Sequence, residues 1–171
     1  MDNISNVIYV DAAYSYSKDI GQTKLAPHEA YGYVERSANN IIIIFIKKRG
    51  SDNSLTIAAG EPIIKGLVLP DTALVSIASA HKTDLLKGIA IDSSVAITWR
   101  DVRYVANVSE YECAVMNTKG IVYRIENDHI VIKDPQTTRT YPNPVKNHPE
   151  GEHPTYLMIP VSFITGVSAT T

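Results

Sequence analysis

The chain repeats itself, and a repeat limits its possible folds more than any other feature of the sequence. At an offset of 90, Tyr9-Val10-Asp11 falls on Trp99-Arg100-Asp101 and Tyr14 on Tyr104. At an offset of 88, Gly32-Tyr33-Val34-Glu35-Arg36 falls on Gly120-Ile121-Val122-Tyr123-Arg124, Asn39 on Asn127, Ile42 on Ile130 and Ile44 on Ile132. At 90 again, Leu69-Pro70 falls on Ile159-Pro160, and Leu74 and Ile77 on Ile164 and Val167. Each copy therefore reads as an acid-ended strand, a glycine-led strand, a polar turn, an apolar strand, a long loop, and a proline before a closing strand.

Strand signals dominate both copies. They fall at Val7–Val10, Ala30–Val34, Ile41–Ile46, Leu55–Ala59, Ile63–Leu69 and Ala73–Ile77. In the second copy they fall at Ser94–Arg100, Glu112–Met116, Gly120–Ile125, His129–Lys133, Tyr156–Ile159 and Phe163–Val167. Ile41-Ile42-Ile43-Ile44-Phe45-Ile46 is nearly all β-branched, which would crowd χ1 in a helix, so it reads as a strand buried on both faces. His81–Lys87 is the one short helical pattern, stopped by Gly88. Asp134–Pro154 holds five prolines and reads as a long loop. A copy this small buries a modest core, and five strands close best as a small barrel, which removes most free edges. The expected organisation is a first barrel over 6–79, a linker over 80–92 and a second barrel over 93–168.

Composition narrows the function classes. Sixteen basic against 18 acidic residues give a net charge of −2, so a strongly basic nucleic-acid binder is excluded at the level of bulk charge. One cysteine, Cys113, cannot form an internal disulfide and reads as a small buried hydrophobe. Met1–Val10 has neither a basic nor an apolar signal region, and the longest apolar run is far below the ~20 residues of a membrane-spanning helix. A cytoplasmic protein with no membrane segment is expected.

The strand plan resembles the Sm-like (LSm and Hfq) small barrel of the SH3-like class. The resemblance rests on Gly32-x-Val34…Asn39-Asn40-Ile41-Ile42 and Gly120-x-Val122…Glu126-Asn127-Asp128-His129-Ile130, similar to the first Sm motif. It also rests on Leu69-Pro70-x-x-x-Leu74-x-x-Ile77 and Ile159-Pro160-x-x-x-Ile164-x-x-Val167, similar to the end of the second. Glu126 takes the place of that family's acid, whereas Ala38 does not. No helix precedes Val7, and Pro70-Asp71 and Pro160-Val161 stand where the family carries an RNA-holding basic residue. The resemblance implies an all-β protein of two tandem five-stranded SH3-like barrels. It implies a non-catalytic, oligomeric binding protein, and single-stranded RNA held in a ring. In the family such turns contact bases, which singles out Asn39, Asn40, Asn127, Asp128 and His129, with Lys47 toward phosphate. The alternative is a structural or assembly module that binds protein partners, itself included, without nucleic acid. Sm-like pairing of last strands would join three chains into a homotrimer with a pseudo-hexameric ring.

Other residues of catalytic type carry less. Asp11 and Asp101 would meet across a pseudo-two-fold, as in a carboxyl dyad. Ala12-Ala13 and Val102-Arg103 follow them in place of the hydroxyl residue and glycine that such a site needs, so they read as strand-end acids. His148, Glu150, Glu152 and His153 have no closed metal-site spacing and read as a solvated loop tip. Lys47-Lys48-Arg49 reads as a charged guard beside a sticky strand. No catalytic residue, metal or cofactor is expected.

Overall fold

The computed structural model describes residues 4–45, 47–48, 55–56, 66–78, 83–105, 112–143, 145–146 and 153–170. The fold is all-β with curled sheets. The first half supplies β1 (Ile4–Tyr9), β2 (Ala13–Ser15), β3 (His28–Ser37), β4 (Asn40–Phe45), β5 (Lys47–Lys48), β6 (Leu55–Thr56) and β7 (Gly66–Pro70). A 3₁₀ turn (Asp71–Ala73) and one helical turn, α1 (Val75–Ala78), follow. After a second 3₁₀ turn (Asp84–Leu86) come β8 (Ser94–Asp101), β9 (Arg103–Val105), β10 (Ala114–Ile125), β11 (His129–Tyr141), β12 (Val145–Lys146) and β13 (Tyr156–Pro160). A third 3₁₀ turn (Val161–Phe163) leads into β14 (Ile164–Ala169).

The two large sheets have the orders β1-β3-β4-β7-β9 and β14-β8-β10-β11-β13-β2, with β12 added on β11, and β5 and β6 form a small pair of their own. The last member of each large sheet comes from the other half of the chain. Leu67 of β7 stands opposite Tyr104 of β9, and Leu157 of β13 stands opposite Tyr14 of β2. The two pairings are images of one another at the offset of 90. The repeat is thus visible in the backbone, including the 3₁₀ turns that follow Pro70 and Pro160. Both prolines lack a donor and close a strand at a tight corner.

The core is shared. Tyr9, Ile41, Ile43, Leu67 and Leu69 of the first half belong to the same buried cluster as Ile97, Trp99, Met116, Ile132, Leu157 and Phe163 of the second. The first part of the isoleucine run is buried on both faces: Ile41 and Ile43 face this core, while Ile42 packs on the opposite side with Val68 and Cys113; β4 ends at Phe45, and Ile46 lies outside the described residues. Within the core, Trp99 Nε1 donates to Thr118 Oγ1 at 3.0 Å, and Thr118 Oγ1 lies 2.9 Å from Thr137 Oγ1. That chain of bonds satisfies buried polar atoms while locking β8, β10 and β11 in register.

Several expectations are corrected. Glu112–Met116 and Gly120–Ile125 are not two strands but parts of β10, bent at Gly120. The segment Asp134–Pro154 is not a loop at its start, because β11 runs on to Tyr141. Pro135 is accommodated because the β10–β11 register breaks between Lys119/Gln136 and Ile121/Lys133, so the bulge asks no ladder donor of it. Ala73–Ile77 is not a strand; only Leu74 bridges to Tyr9 before the chain turns into α1. The pattern at His81–Lys87 keeps only the 3₁₀ turn Asp84–Leu86 among the described residues, capped by Thr83 Oγ1 on the Leu85 N–H.

Gly120 is required by space rather than by φ. A Cβ there would press into Ile132 and lie 2.8 Å from the Lys133 carbonyl oxygen, a backbone atom that cannot move without breaking the ladder. Gly120→Ala is expected to cost about 1–3 kcal/mol in urea unfolding, the scale of overpacking in a tight core. Loss of less than ~0.5 kcal/mol would show that the bend relaxes freely.

Candidate functional site

The pseudo-two-fold axis is marked by residues that touch their own repeat images. Thr72 Oγ1 donates to the Ser162 carbonyl at 2.8 Å, 90 residues away. Asp11 and Asp101, also 90 apart, hydrogen-bond to each other through their side chains. Each carboxylate also accepts the N–H of the following residue, Ala12 at 2.8 Å and Val102 at 3.0 Å. These acids stand where β1 and β8 end and the chain departs for the exchanged strands β2 and β9. They were read as simple strand-end acids; the fold brings them together.

Two carboxyl groups in contact cannot both ionise freely. Burial, and then the charge of Asp11, holds Asp101 well above the usual carboxylate range. Burial also pushes Asp11 up to about 6, against the opposing pull of the Ala12 N–H, the Asp101 hydrogen bond and His28. Tyr9, stacked on His28 at 5.5 Å, has its hydroxyl pushed up by burial and by Tyr104. The pair shares a proton, but neither cavity described below reaches it. An acid whose folded pKa is raised carries no penalty below its unfolded pKa. The penalty grows as pH climbs through the folded value. Stability is therefore expected to fall between about pH 4 and 7, by on the order of 2–3 kcal/mol. In urea melts, Asp11→Asn should flatten this slope. An unchanged slope would show that Asp11 does not carry the penalty.

The residues singled out for RNA divide into two groups. Asn40 is 6% exposed, and its Oδ1 accepts from Arg100 Nη2 and from Cys113 Sγ, the latter at 3.1 Å. Arg100 also donates to the Asn39 carbonyl at 3.3 and 3.4 Å. His129 is 2% exposed, with Nδ1 2.7 Å from Asp128 Oδ1. Asn39, Asn127 and Asp128 are exposed at the turn tips. Lys47 lies in β5, opposite Thr56. Asn40 and His129 thus work inside the protein, as turn and core residues. Cys113 is buried beside Arg100 and Asp101, and burial pushes its thiol up to about 12, which leaves it a poor nucleophile.

The sheet ends offer the other site. β2 and β9 are three-residue strands, and β14 has the 3₁₀ turn Asp84–Leu86 packed on it. β1 is a six-residue end strand, ISNVIY, with no charge and no proline. In the second half the same position is filled, because β14 pairs with β8 from Ile164/Trp99 through Ala169/Val95. In the first half Leu74 starts the equivalent pairing at Tyr9 and α1 abandons it. The result is a groove of about 530 Å³ lined by Val7, Ile8, Val34, Ile41, Leu74 and Val75, among others. Sequence reading missed it; the signal available was an uncharged edge strand facing a copy-one segment that had to act as its partner.

A second cavity, about 500 Å³, is lined by Asp134, Pro135, Gln136, Thr138, His153 and Pro154 among others. His148, Glu150 and Glu152 lie outside the described residues. Among the described residues no group of three or more metal-ligating side chains occurs. No described helix is long and apolar enough to cross a membrane. No protein family, curated protein or solved structure matches this chain.

Proposed function

We infer that the chain is a non-catalytic assembly module: two tandem SH3-like barrels, joined by strand exchange, that bind protein partners by β-strand pairing. The barrel reading is supported by the second half, where the closing strand β14 returns beside β8, the first strand of the same copy. The single observation that carries the function is the asymmetry between the copies. One closing position is filled by β14; among the described residues its counterpart on β1 is paired only at Tyr9, by Leu74, and otherwise borders an apolar groove. An exposed row of backbone donors and acceptors on an uncharged strand is a template for another strand.

The Sm-like ring reading draws on the exposed Asn39, Asn127 and Asp128. It asks for pairing between chains through closing strands. Here β7 and β13 carry β9 and β2 on their outer sides, β14 pairs within its own half, and Leu74–Ile77 is not a strand. A net charge of −2 also offers little to phosphate. Fluorescence anisotropy with a labelled single-stranded oligonucleotide of about 20 nucleotides, at low salt, separates the two readings. No binding is expected. Binding that collapses steeply as salt rises, and weakens by about 1–3 kcal/mol in Asn39→Ala and Asn127→Ala, would overturn the assembly reading in favour of RNA.

A further inference from the structure

Resting on that reading, we propose that the partner at β1 is β1 of a second copy of this chain, laid antiparallel across a two-fold axis at Asn6. The two five-stranded sheets then become one ten-stranded sheet spanning two chains.

The choice of occupant follows from the ends of the two sheets. Of the four end strands, β2 and β9 are too short to serve as long templates, and β9 carries Arg103. β14 is covered in part by the turn Asp84–Leu86. Among the described residues only Leu74 pairs on the outer side of β1, at Tyr9, which leaves Ile4–Ile8 as the one long stretch of end strand with no strand beside it, and it pairs best with its own image. Antiparallel pairing about Asn6 sets Ser5 opposite Val7 of the other copy and Asn6 opposite itself. A two-fold contact of this kind is self-complementary and closes at two chains. Heterologous edge pairing closes only in a ring and otherwise grows into fibres.

The chemistry of the edge agrees. β1 has no charge to repel its image, and its own Val7 and Ile8 line the groove; Ile8 is 44% exposed. Arg36, the one charged residue lining the groove, lies past the Ile4 end of β1, because Ile4 pairs with Tyr33. Antiparallel alignment therefore places the two copies of Arg36 at opposite ends of the contact. The template for this edge is already in the chain: β8 accepts the uncharged strand ITGVSA at the equivalent position. A five-residue edge, Ile4–Ile8, with its groove falls at the small end of protein interfaces, below ~1,200 Å², so the dimer population should depend on concentration.

The test is light scattering after size exclusion over a wide concentration range, with hydrogen exchange of the β1 amides in the full chain. The mass is expected to rise from 18.8 kDa toward twice that value, with β1 amides protected only in the dimer. Ile8→Lys should weaken self-association at least ten-fold without changing the far-UV circular dichroism. Ile91→Lys, at an exposed apolar residue far along the chain, should leave it unchanged. A dimer indifferent to Ile8→Lys would overturn pairing at β1 while leaving the assembly reading in place. A monomer whose β1 amides are already protected would mean that the chain closes its own edge with the segment after Leu74, and both readings would fall. A monomer at every concentration with β1 amides exchanging freely would overturn self-pairing alone.

Discussion

Everything in this molecule depends on the exchange of two short strands across a pseudo-two-fold axis. Among the described residues β2 pairs with β13 alone and β9 with β7 alone, so each half completes the other's sheet. Backbone donors and acceptors at a sheet edge must find partners or face water, and each three-residue strand supplies them from across the axis. The exchange also explains the shared main core: Trp99 and Phe163 are buried in the same cluster as Tyr9 and Ile43. Two linked barrels with separate cores would not need such an arrangement.

The same exchange sets up the carboxyl contact. For β1 and β8 to hand their chains to the opposite sheet, both must cross near the axis, and the residues at the crossing are Asp11 and Asp101. The Ala12 and Val102 N–H groups donate to these carboxylates and tighten the turn at each crossing. The cost is two carboxyl groups removed from water beside one another. A shared proton offsets part of that cost, and Arg100, next to Asp101, is committed instead to the Asn39–Asn40 turn.

Much of this was legible in the residues. Ile41–Ile43 declared a strand with two buried faces, Gly120 marked the register break in β10, and the offset of 90 carried the architecture. Less legible were features decided by distant contacts. The tripeptides Ala13–Ser15 and Arg103–Val105 have little strand signal of their own, and only the Tyr14/Tyr104 correspondence hinted at them. Val75–Ala78 and Thr165–Ser168 occupy equivalent places with similar residues, yet one is helical and one is a strand. Local propensity cannot separate them, because pairing of β14 on β8 decides the second. The RNA candidates Asn40 and His129 looked like turn-tip residues, and burial could not be read from their spacing. The RNA and ring readings came from the family resemblance, while the net charge and the residues after Asp11 and Asp101 pointed away from RNA and catalysis.

The central claim is that strand exchange makes the two halves one cooperative unit. Trp99 is the chain's single tryptophan, fully buried in the second half, so its fluorescence reports on that half, whereas far-UV circular dichroism reports on both. Equilibrium urea unfolding followed by the two probes tests the claim most directly. Coincident transitions with one midpoint are predicted. Two separated transitions, with the fluorescence change confined to one of them, would show that each half stands alone and would contradict the account.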